Sequence, residues 1–286
     1  MYRNNNRIAI LLSTYNGEKY LADLIESIVR QSCQDYTLYI RDDGSTDNTI
    51  SIIEEYTTKY KNILFIDGGN NLGPKYTFLR LLDMVDSDYV MFCDQDDIWM
   101  PNKVYDTFNK IKEIEEINKD KAILVYTDLR IVDDSLSVLA ESSWEYHGFN
   151  VDLPTSFNYL VHYGYVTGCT MMLNRKACEI GRGYTAFPLL DEMYHDWFLS
   201  LLVAKNNGLI IPLKEQTIIY RRHQGSETDA LELRTSIIHR LNEIGDFFKL
   251  QRRRYQYFKN WGYGSYMKFL YYKTKLFIIK LWQKHD

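Results

Sequence analysis

Two rhythms of apolar positions alternate along the first hundred residues. Ile8 to Leu12 form a short apolar run that stops at the polar segment Ser13-Thr14-Tyr15-Asn16-Gly17, the pattern of a buried strand running into a loop. Leu21, Leu24, Ile25, Ile28 and Val29 then recur at helical spacing. The alternation continues with a strand over residues 36–41, a helix carrying Ile50, Ile53 and Tyr56, a strand over 63–66, a helix near 76–84 and a strand over 89–93. Strand and helix alternating across short connections predict an α/β fold, a mostly parallel central sheet flanked by helices. Ligands of such sheets bind outside the carboxyl ends of the strands. The polar loops at 13–16, 42–47, 70–75 and 94–99 are therefore expected to converge.

The second half is less regular. Apolar runs at 122–126 and 166–173 predict strands, a helix is expected near 192–205, and two further runs fall at 209–211 and 217–220. No proline- or glycine-rich linker interrupts the first 225 residues, so residues 1–226 are read as one domain and 227–286 as a helical appendage.

Composition adds little until charge is divided along the chain. The 286 residues carry a net charge of -4, but from Lys249 onward ten lysines and arginines face one acid, Asp286. This basic stretch is interleaved with Trp261, Tyr263, Tyr266, Phe269, Tyr271, Phe277, Ile278, Ile279 and Trp282. Lysines interrupt it too often for a spanning helix, and the pattern fits an anionic membrane interface. A helix for homodimerisation is the competing use; nucleic acid would also suit the composition but is not the expected partner. Cys33, Cys93, Cys169 and Cys178 lie far apart without zinc-ligand spacing, which predicts reduced thiols. The amino terminus runs straight into a strand without a hydrophobic leader, so catalysis is expected to face the cytoplasm, at the inner face of the cell membrane.

The most informative segment is Cys93-Asp94-Gln95-Asp96-Asp97-Ile98-Trp99, three carboxylates delivered directly after an apolar strand. Such a cluster suits a hard divalent cation, Mn²⁺ or Mg²⁺, shared with substrate phosphates. A turn or helix cap is the bland alternative for any one of them, and Asp97 is assigned to it. Asp42-Asp43-Gly44-Ser45-Thr46-Asp47 places two more carboxylates at a strand end, and Asp43 is suited to accept from a pyrimidine imide N–H. Gly68-Gly69-Asn70-Asn71-Leu72-Gly73-Pro74-Lys75 nearly matches a P-loop but has Pro74 and Tyr76 where that motif needs Gly-Lys-Ser/Thr order, and G-x-G-x-x-G is absent. It reads as a loop covering a nucleotide, with Asn71 and Lys75 on the donor side.

In this order and spacing, Ser13-Thr14-Tyr15-Asn16, Asp42-Asp43-Gly44-Ser45 and Asp94-Gln95-Asp96-Asp97 resemble family 2 glycosyltransferases of the GT-A fold, a Rossmann-like nucleotide-diphospho-sugar transferase architecture. The resemblance covers roughly residues 8 to 225. It implies a metal-dependent enzyme that moves a sugar from a nucleotide-diphosphate donor with inversion. Tyr15 and Asp43 would hold the base, Asp94 the ribose and Asp96 the metal; Ser13, Asn71, Lys75, Gln95 and Arg221 complete the donor side. Asp196, in His195-Asp196-Trp197, matches the general base. Gly168, Cys169, His195 and Trp197 would line the sugar or acceptor pocket, and His223 would join Asp96 at the metal. With Tyr126-Thr127-Asp128-Leu129, the motifs look most like bacterial rhamnosyltransferases of cell-wall and capsule assembly, which implies dTDP-L-rhamnose as donor and a lipid-linked or oligosaccharide acceptor. A UDP-sugar-dependent galactosyl, glucosyl or N-acetylhexosaminyl transferase is the nearest alternative. A sugar nucleotidyltransferase would need a glycine-rich basic N-terminal loop that Ser13–Gly17 lacks, and an inactive binding module would have lost Asp96 or Asp196.

Overall fold

The computed structural model describes residues 2–3, 6–66, 68–184, 193–223 and 244–282, the side chains of 244–248 and 280–282 excepted. The first half runs β1 (Tyr2–Arg3), β2 (Ile8–Thr14), α1 (Leu21–Val29), β3 (Tyr36–Asp42), α2 (Thr49–Lys59), β4 (Ile63–Ile66), α3 (Pro74–Met84), β5 (Val85–Asp86), β6 (Tyr89–Cys93), β7 (Ile98–Trp99) and α4 (Lys103–Ile117). The second runs β8 (Ile123–Val132), β9 (Val138–Ala140), α5 (Ser143–Tyr146), α6 (Phe157–Leu160), β10 (Met171–Asn174), α7 (Arg175–Gly181), α8 (His195–Lys205), β11 (Leu209–Arg221), α9 (Ile244–Asn260) and α10 (Tyr266–Trp282).

Among the described residues, a nine-stranded sheet has the order β4-β3-β2-β6-β10-β8-β11-β7, with β9 on the edge of β8. The pairs β3–β4, β2–β3, β2–β6 and β8–β11 are parallel, while β10 runs antiparallel between β6 and β8. The carboxyl ends of β2, β3 and β6 therefore share one edge, and the loops that follow them meet there. Alternation along β2 divides the core. Ile8, Ile10 and Leu12 face α1, α2 and α4 through Leu24, Ile28, Ile53 and Phe108, whereas Ala9 and Leu11 face α3, α7 and α8 through Phe78, Leu82 and Phe198. Each layer excludes water from one face of the sheet, the principal stabilising term for a fold of this size.

Four expectations change. The run at 166–173 is not one strand: Gly168–Thr170 form a 3-10 turn, and only Met171–Asn174 join the sheet. The separate runs at 209–211 and 217–220 are one strand, β11, whose register against β8 slips around Gln216. Asp97, assigned to the turn, lies just past the turn at Gln95 and Asp96 and is fully buried; it is no cap for α4, which begins after Asn102 without a side-chain cap. In the basic carboxyl-terminal stretch, Trp261, Tyr263 and Phe269 are buried in the same core as Leu201 and Phe198. Residues 224–243, where the sequence suggested a boundary, lie outside the described residues.

Candidate active site

The convergence of the loops is built from cross-loop hydrogen bonds. Gln95 clamps the loop after β2 at two points: its Oε1 accepts from Tyr15 N at 2.8 Å and its Nε2 donates to Tyr15 O at 2.9 Å. Asn16 N donates to Ser45 Oγ at 2.8 Å, and Asn16 Oδ1 accepts from Thr46 N at 2.9 Å. Asp42 folds the loop after β3 by accepting from Gly44 N, Ser45 N and Thr14 Oγ1. Ser13 sits half-buried at the end of β2, and Tyr15 beside it is exposed.

Asp43 is 2% exposed and already engaged. Its carboxylate accepts from Leu72 N and Gly73 N, at 2.9 and 2.6 Å, and pairs with the buried Arg41 guanidinium. These donors hold its pKa below the usual carboxylate range against the opposing effect of burial, which is the largest single influence. In this structure Asp43 fixes loop 70–73 over the sheet edge. Asn71 Oδ1 accepts from Gly73 N in the same loop, and Lys75, in the first turn of α3, places its ammonium 4.9 Å from the centre of the Tyr194 ring.

In the acidic cluster the three aspartates separate. Asp94 and Asp96 are half-buried, and Asp96 Oδ2 lies 2.8 Å from His223 Nε2. His223 packs against Tyr20 with ring centroids 4.7 Å apart. Asp97 is sealed beneath them, its carboxyl pushed well above the ordinary range by burial and by the charges of Asp96 and Asp94. Among the described residues, two groupings offer donor atoms for a cation. Asp94, Asp97 and the Cys169 thiol have donor atoms within 4.8 Å of one another, but Asp97 and Cys169 are fully buried and shifted toward their protonated forms. A buried carboxyl shifted toward its neutral form beside a thiol does not suit a hard cation. Asp96 with His223 offers an accessible carboxylate and an imidazole, a pair that fits Mn²⁺ and, less well, Mg²⁺.

Arg221, 6% exposed, is spent on scaffolding. Its Nε donates to Asp96 O at 3.3 Å and its Nη2 to Asp23 Oδ2 at 3.2 Å, while its guanidinium stacks on Tyr20. It thus fixes the backbone that presents Asp96. Beneath the cluster lies Lys103, a residue the sequence reading passed over. It is fully buried, with Nζ 3.4 Å from Thr217 Oγ1 and 4.8 Å from the centre of the Trp99 ring; burial lowers its pKa to about 8. Nothing in sequence separates it from an ordinary first-turn helix lysine.

Asp196 opens α8. Its Oδ2 accepts from Gly168 N at 3.1 Å and its Oδ1 from Trp197 N at 2.6 Å, so both oxygens are held in place. The side chain is recessed but retains some solvent exposure. Burial raises its pKa to about 6, outweighing the two amide donors. A carboxylate poised near neutrality is matched to general-base work.

The residues expected to line the sugar pocket have other duties. His195 is buried between Phe78 and Phe92, with ring centroids at 4.3 and 5.2 Å, and burial lowers its pKa to about 3. Gly168 is required by that ring, since a Cβ there would stand 2.6 Å from His195 Nε2. Cys169 is fully buried under Asp97. The Trp197 indole donates to Leu160 O at 2.7 Å, and its ring lies where a Cβ on Gly164 would collide. These four shape the wall around Asp196 from behind.

Because Gln95 bridges two loops through two hydrogen bonds, Gln95→Ala is expected to weaken nucleotide binding about tenfold, at ~1 kcal/mol or less per bond, while far-UV circular dichroism stays native. Titration calorimetry of the variant checks it.

The site thus offers a strand-end carboxylate beside a histidine and a recessed carboxyl that opens a later helix. Solved structures with the same fold include S. aureus TarS 1-349 in complex with UDP, with TM-score 0.53, 18% identity, and 76% of this chain and 60% of that one covered. Another is the mannosyltransferase PcManGT from Pyrobaculum calidifontis in complex with GDP-Man and Mn²⁺, with TM-score 0.54, 14% identity, and 79% and 59% covered. The fold is GT-A. The family model for glycosyl transferase family 2 matches residues 9–180, more than half of the sequence, and the chain belongs to that family. Among curated relatives, the dTDP-rhamnosyl transferase RfbG of Shigella flexneri is 25% identical over 230 residues, which span 77% of this chain and 74% of that protein. The teichoic acid poly(glycerol phosphate) polymerase of Staphylococcus epidermidis is 40% identical over 93 residues, 32% of this chain and only 13% of its own length. The chain thus spans about three fifths of the solved relatives and a small part of the polymerase.

Proposed function

We propose that this glycosyltransferase is an inverting, divalent-cation-dependent enzyme of surface polysaccharide synthesis that transfers L-rhamnose from dTDP-L-rhamnose to a lipid-linked or growing saccharide acceptor. The observation that carries the reading is the Asp96–His223 pair at the sheet edge, with Asp196 held by two amides at the start of α8. A cation bound there would neutralise charge on the leaving diphosphate. The protein's own part is then fixed. Asp94 and the loops after β2 and β3 hold the nucleoside, Asp43 acting through loop 70–73, and Arg221 keeps Asp96 in place. Asp196 takes the proton from the acceptor hydroxyl as it attacks the anomeric carbon from the face opposite the diphosphate.

RfbG's name supports rhamnose as the sugar, and the teichoic acid polymerase supports a cell-surface polymer. TarS, solved also with UDP-GlcNAc, supports the second reading, a UDP-sugar donor. A thermal-shift screen of dTDP-, UDP- and GDP-sugars with Mn²⁺ decides between them, since the ligand that binds the folded state raises its melting temperature most. A larger shift with UDP-sugars than with dTDP-rhamnose would reject the rhamnosyl assignment.

No helix among the described residues is long and apolar enough to cross a membrane. The outer face of α10 is the part of the carboxyl-terminal stretch that suits peripheral contact: Met267, Tyr271 and Ile278 are exposed along one stripe, with Lys275 at its edge. Truncating the stretch would remove Trp261 and Phe269 from the core, so point changes are the right probe. Met267→Glu with Ile278→Glu is expected to abolish sedimentation with anionic liposomes and leave the melting temperature within a few degrees. Unchanged sedimentation would count against membrane contact at this face, and a shift from dimer to monomer would assign it to self-association.

A further inference from the structure

A cavity of about 220 Å³ opens between the end of β8, the segment after α5 and the segment before the 3-10 turn, lined among others by Trp144, Phe149, Tyr165, Thr167, Tyr220 and Arg222. It is not the pocket that the sequence motifs suggested. It lies on the β8–β11 side of the sheet, whereas the nucleotide loops follow β2, β3 and β6. Both ends of the chemistry adjoin it. Thr167 precedes Gly168, which donates to Asp196, and Arg222 precedes His223, which contacts Asp96.

The walls are rigidly mounted. Asp128, 2% exposed, accepts from Ser142 Oγ at 2.5 Å and from Trp144 N at 3.2 Å, which ties Trp144 to β8. Phe149 stacks on Tyr165 with centroids 4.8 Å apart and meets Trp144 edge-on at 5.7 Å. Tyr165 lines the cavity, and its own hydroxyl is buried with no hydrogen-bond partner among the described residues. Aromatic faces with a few polar groups are the usual lining of a small-molecule site, and this volume, under the ~300 Å³ of drug-sized pockets, suits a single sugar ring.

We infer that this cavity is the acceptor subsite, and that it takes a pyranose whose C–H face lies on the aromatic wall and whose phosphate is read by Arg222. The inference rests on the transferase reading above. Inversion places the attacking hydroxyl opposite the leaving diphosphate, and this cavity lies on the β8–β11 side of the sheet, away from the loops that follow β2 and β3. Arg222 supplies the charge and planar donor geometry that phosphate recognition needs. A phosphate next to a sugar could belong to a lipid-linked unit or to a phosphate-containing polymer.

The test uses the full chain loaded with Mn²⁺ and dTDP. The 1-phosphates of glucose, galactose and N-acetylglucosamine are titrated, each against its neutral sugar, by saturation-transfer NMR and tryptophan fluorescence. At least one 1-phosphate should bind tenfold or more tightly than its neutral sugar. Trp144→Ala should remove both, and Arg222→Gln should remove only the phosphate advantage, with dTDP affinity unchanged in each variant. Arg222→Gln alone suffices if Trp144→Ala does not fold. Competition by a short-chain polyprenyl diphosphate-linked sugar, or by a glycerol phosphate oligomer, identifies which source fits. Absence of any sugar binding while dTDP binds, or binding that survives both substitutions, would overturn the subsite. Failure of the wild type to bind any nucleotide would instead overturn the donor reading.

Discussion

Asp196→Asn is expected to keep nucleotide binding and to lose turnover by about 10²- to 10⁴-fold, the range that positioned proton transfer contributes. Asparagine preserves the shape of the group held by Gly168 N and Trp197 N but cannot accept the acceptor's proton. For the wild type, a base with a pKa of about 6 gives kcat/KM that falls tenfold per pH unit below about pH 6 and is flat above it; the variant should lose this acid limb. Stability follows the same group with a definite sign. Its folded-state pKa lies above the ordinary 3.8, so its contribution is fully present below about pH 4 and is lost as pH rises through about 6. The stability difference should therefore move in favour of Asp196→Asn between pH 4 and 7, by at most about 3 kcal/mol. Denaturant titrations at the two pH values measure it. A difference independent of pH would mean that Asp196 ionises as it would in water.

The second large effect belongs to the cation pair. Asp96→Ala is expected to abolish both transfer and the Mn²⁺-dependent part of nucleotide binding, and His223→Ala to weaken the same part by about tenfold or more, the loss that removing even an outer partner of a metal ligand commonly brings. Calorimetric titration of dTDP with and without Mn²⁺ reads this directly. The Asp97 substitution separates the roles within the cluster. Because Asp97 is fully buried with its pKa pushed upward, and Asp96 is the carboxylate that meets His223, Asp97→Asn should leave metal-dependent binding in place.

The fold was legible because strand alternation is strict where both faces of a sheet are covered. Ile8, Ile10 and Leu12 on one side and Ala9 and Leu11 on the other announce β2 unaided. The segment at 166–173 was not legible, because a buried 3-10 turn and a buried strand have the same apolar composition. The acidic cluster could be read as a cluster but not divided. Which of three neighbouring carboxyls is sealed depends on strand direction and on Cys169 below, 72 residues away in sequence. Gln95 could be placed on the donor side but not given a contact, since its clamp on Tyr15 exists only once two distant loops meet. His195, by contrast, looked chemical because of its neighbour Asp196, whereas its ring fills a gap between two phenylalanines. The aromatic tail misled in part for the same reason. Composition cannot tell Trp261, packed into the core, from Tyr271, left on the surface.

The central claim is that the Asp96 and His223 edge serves a nucleotide-sugar donor. The direct measurement is release of nucleoside diphosphate from dTDP-rhamnose, UDP-sugars and GDP-sugars, followed by phosphorus NMR with Mn²⁺ and with chelator. The account predicts release from at least one donor with Mn²⁺, most from dTDP-rhamnose, and none in chelator or in Asp96→Ala. Undiminished release in chelator, or in Asp96→Ala, would contradict it.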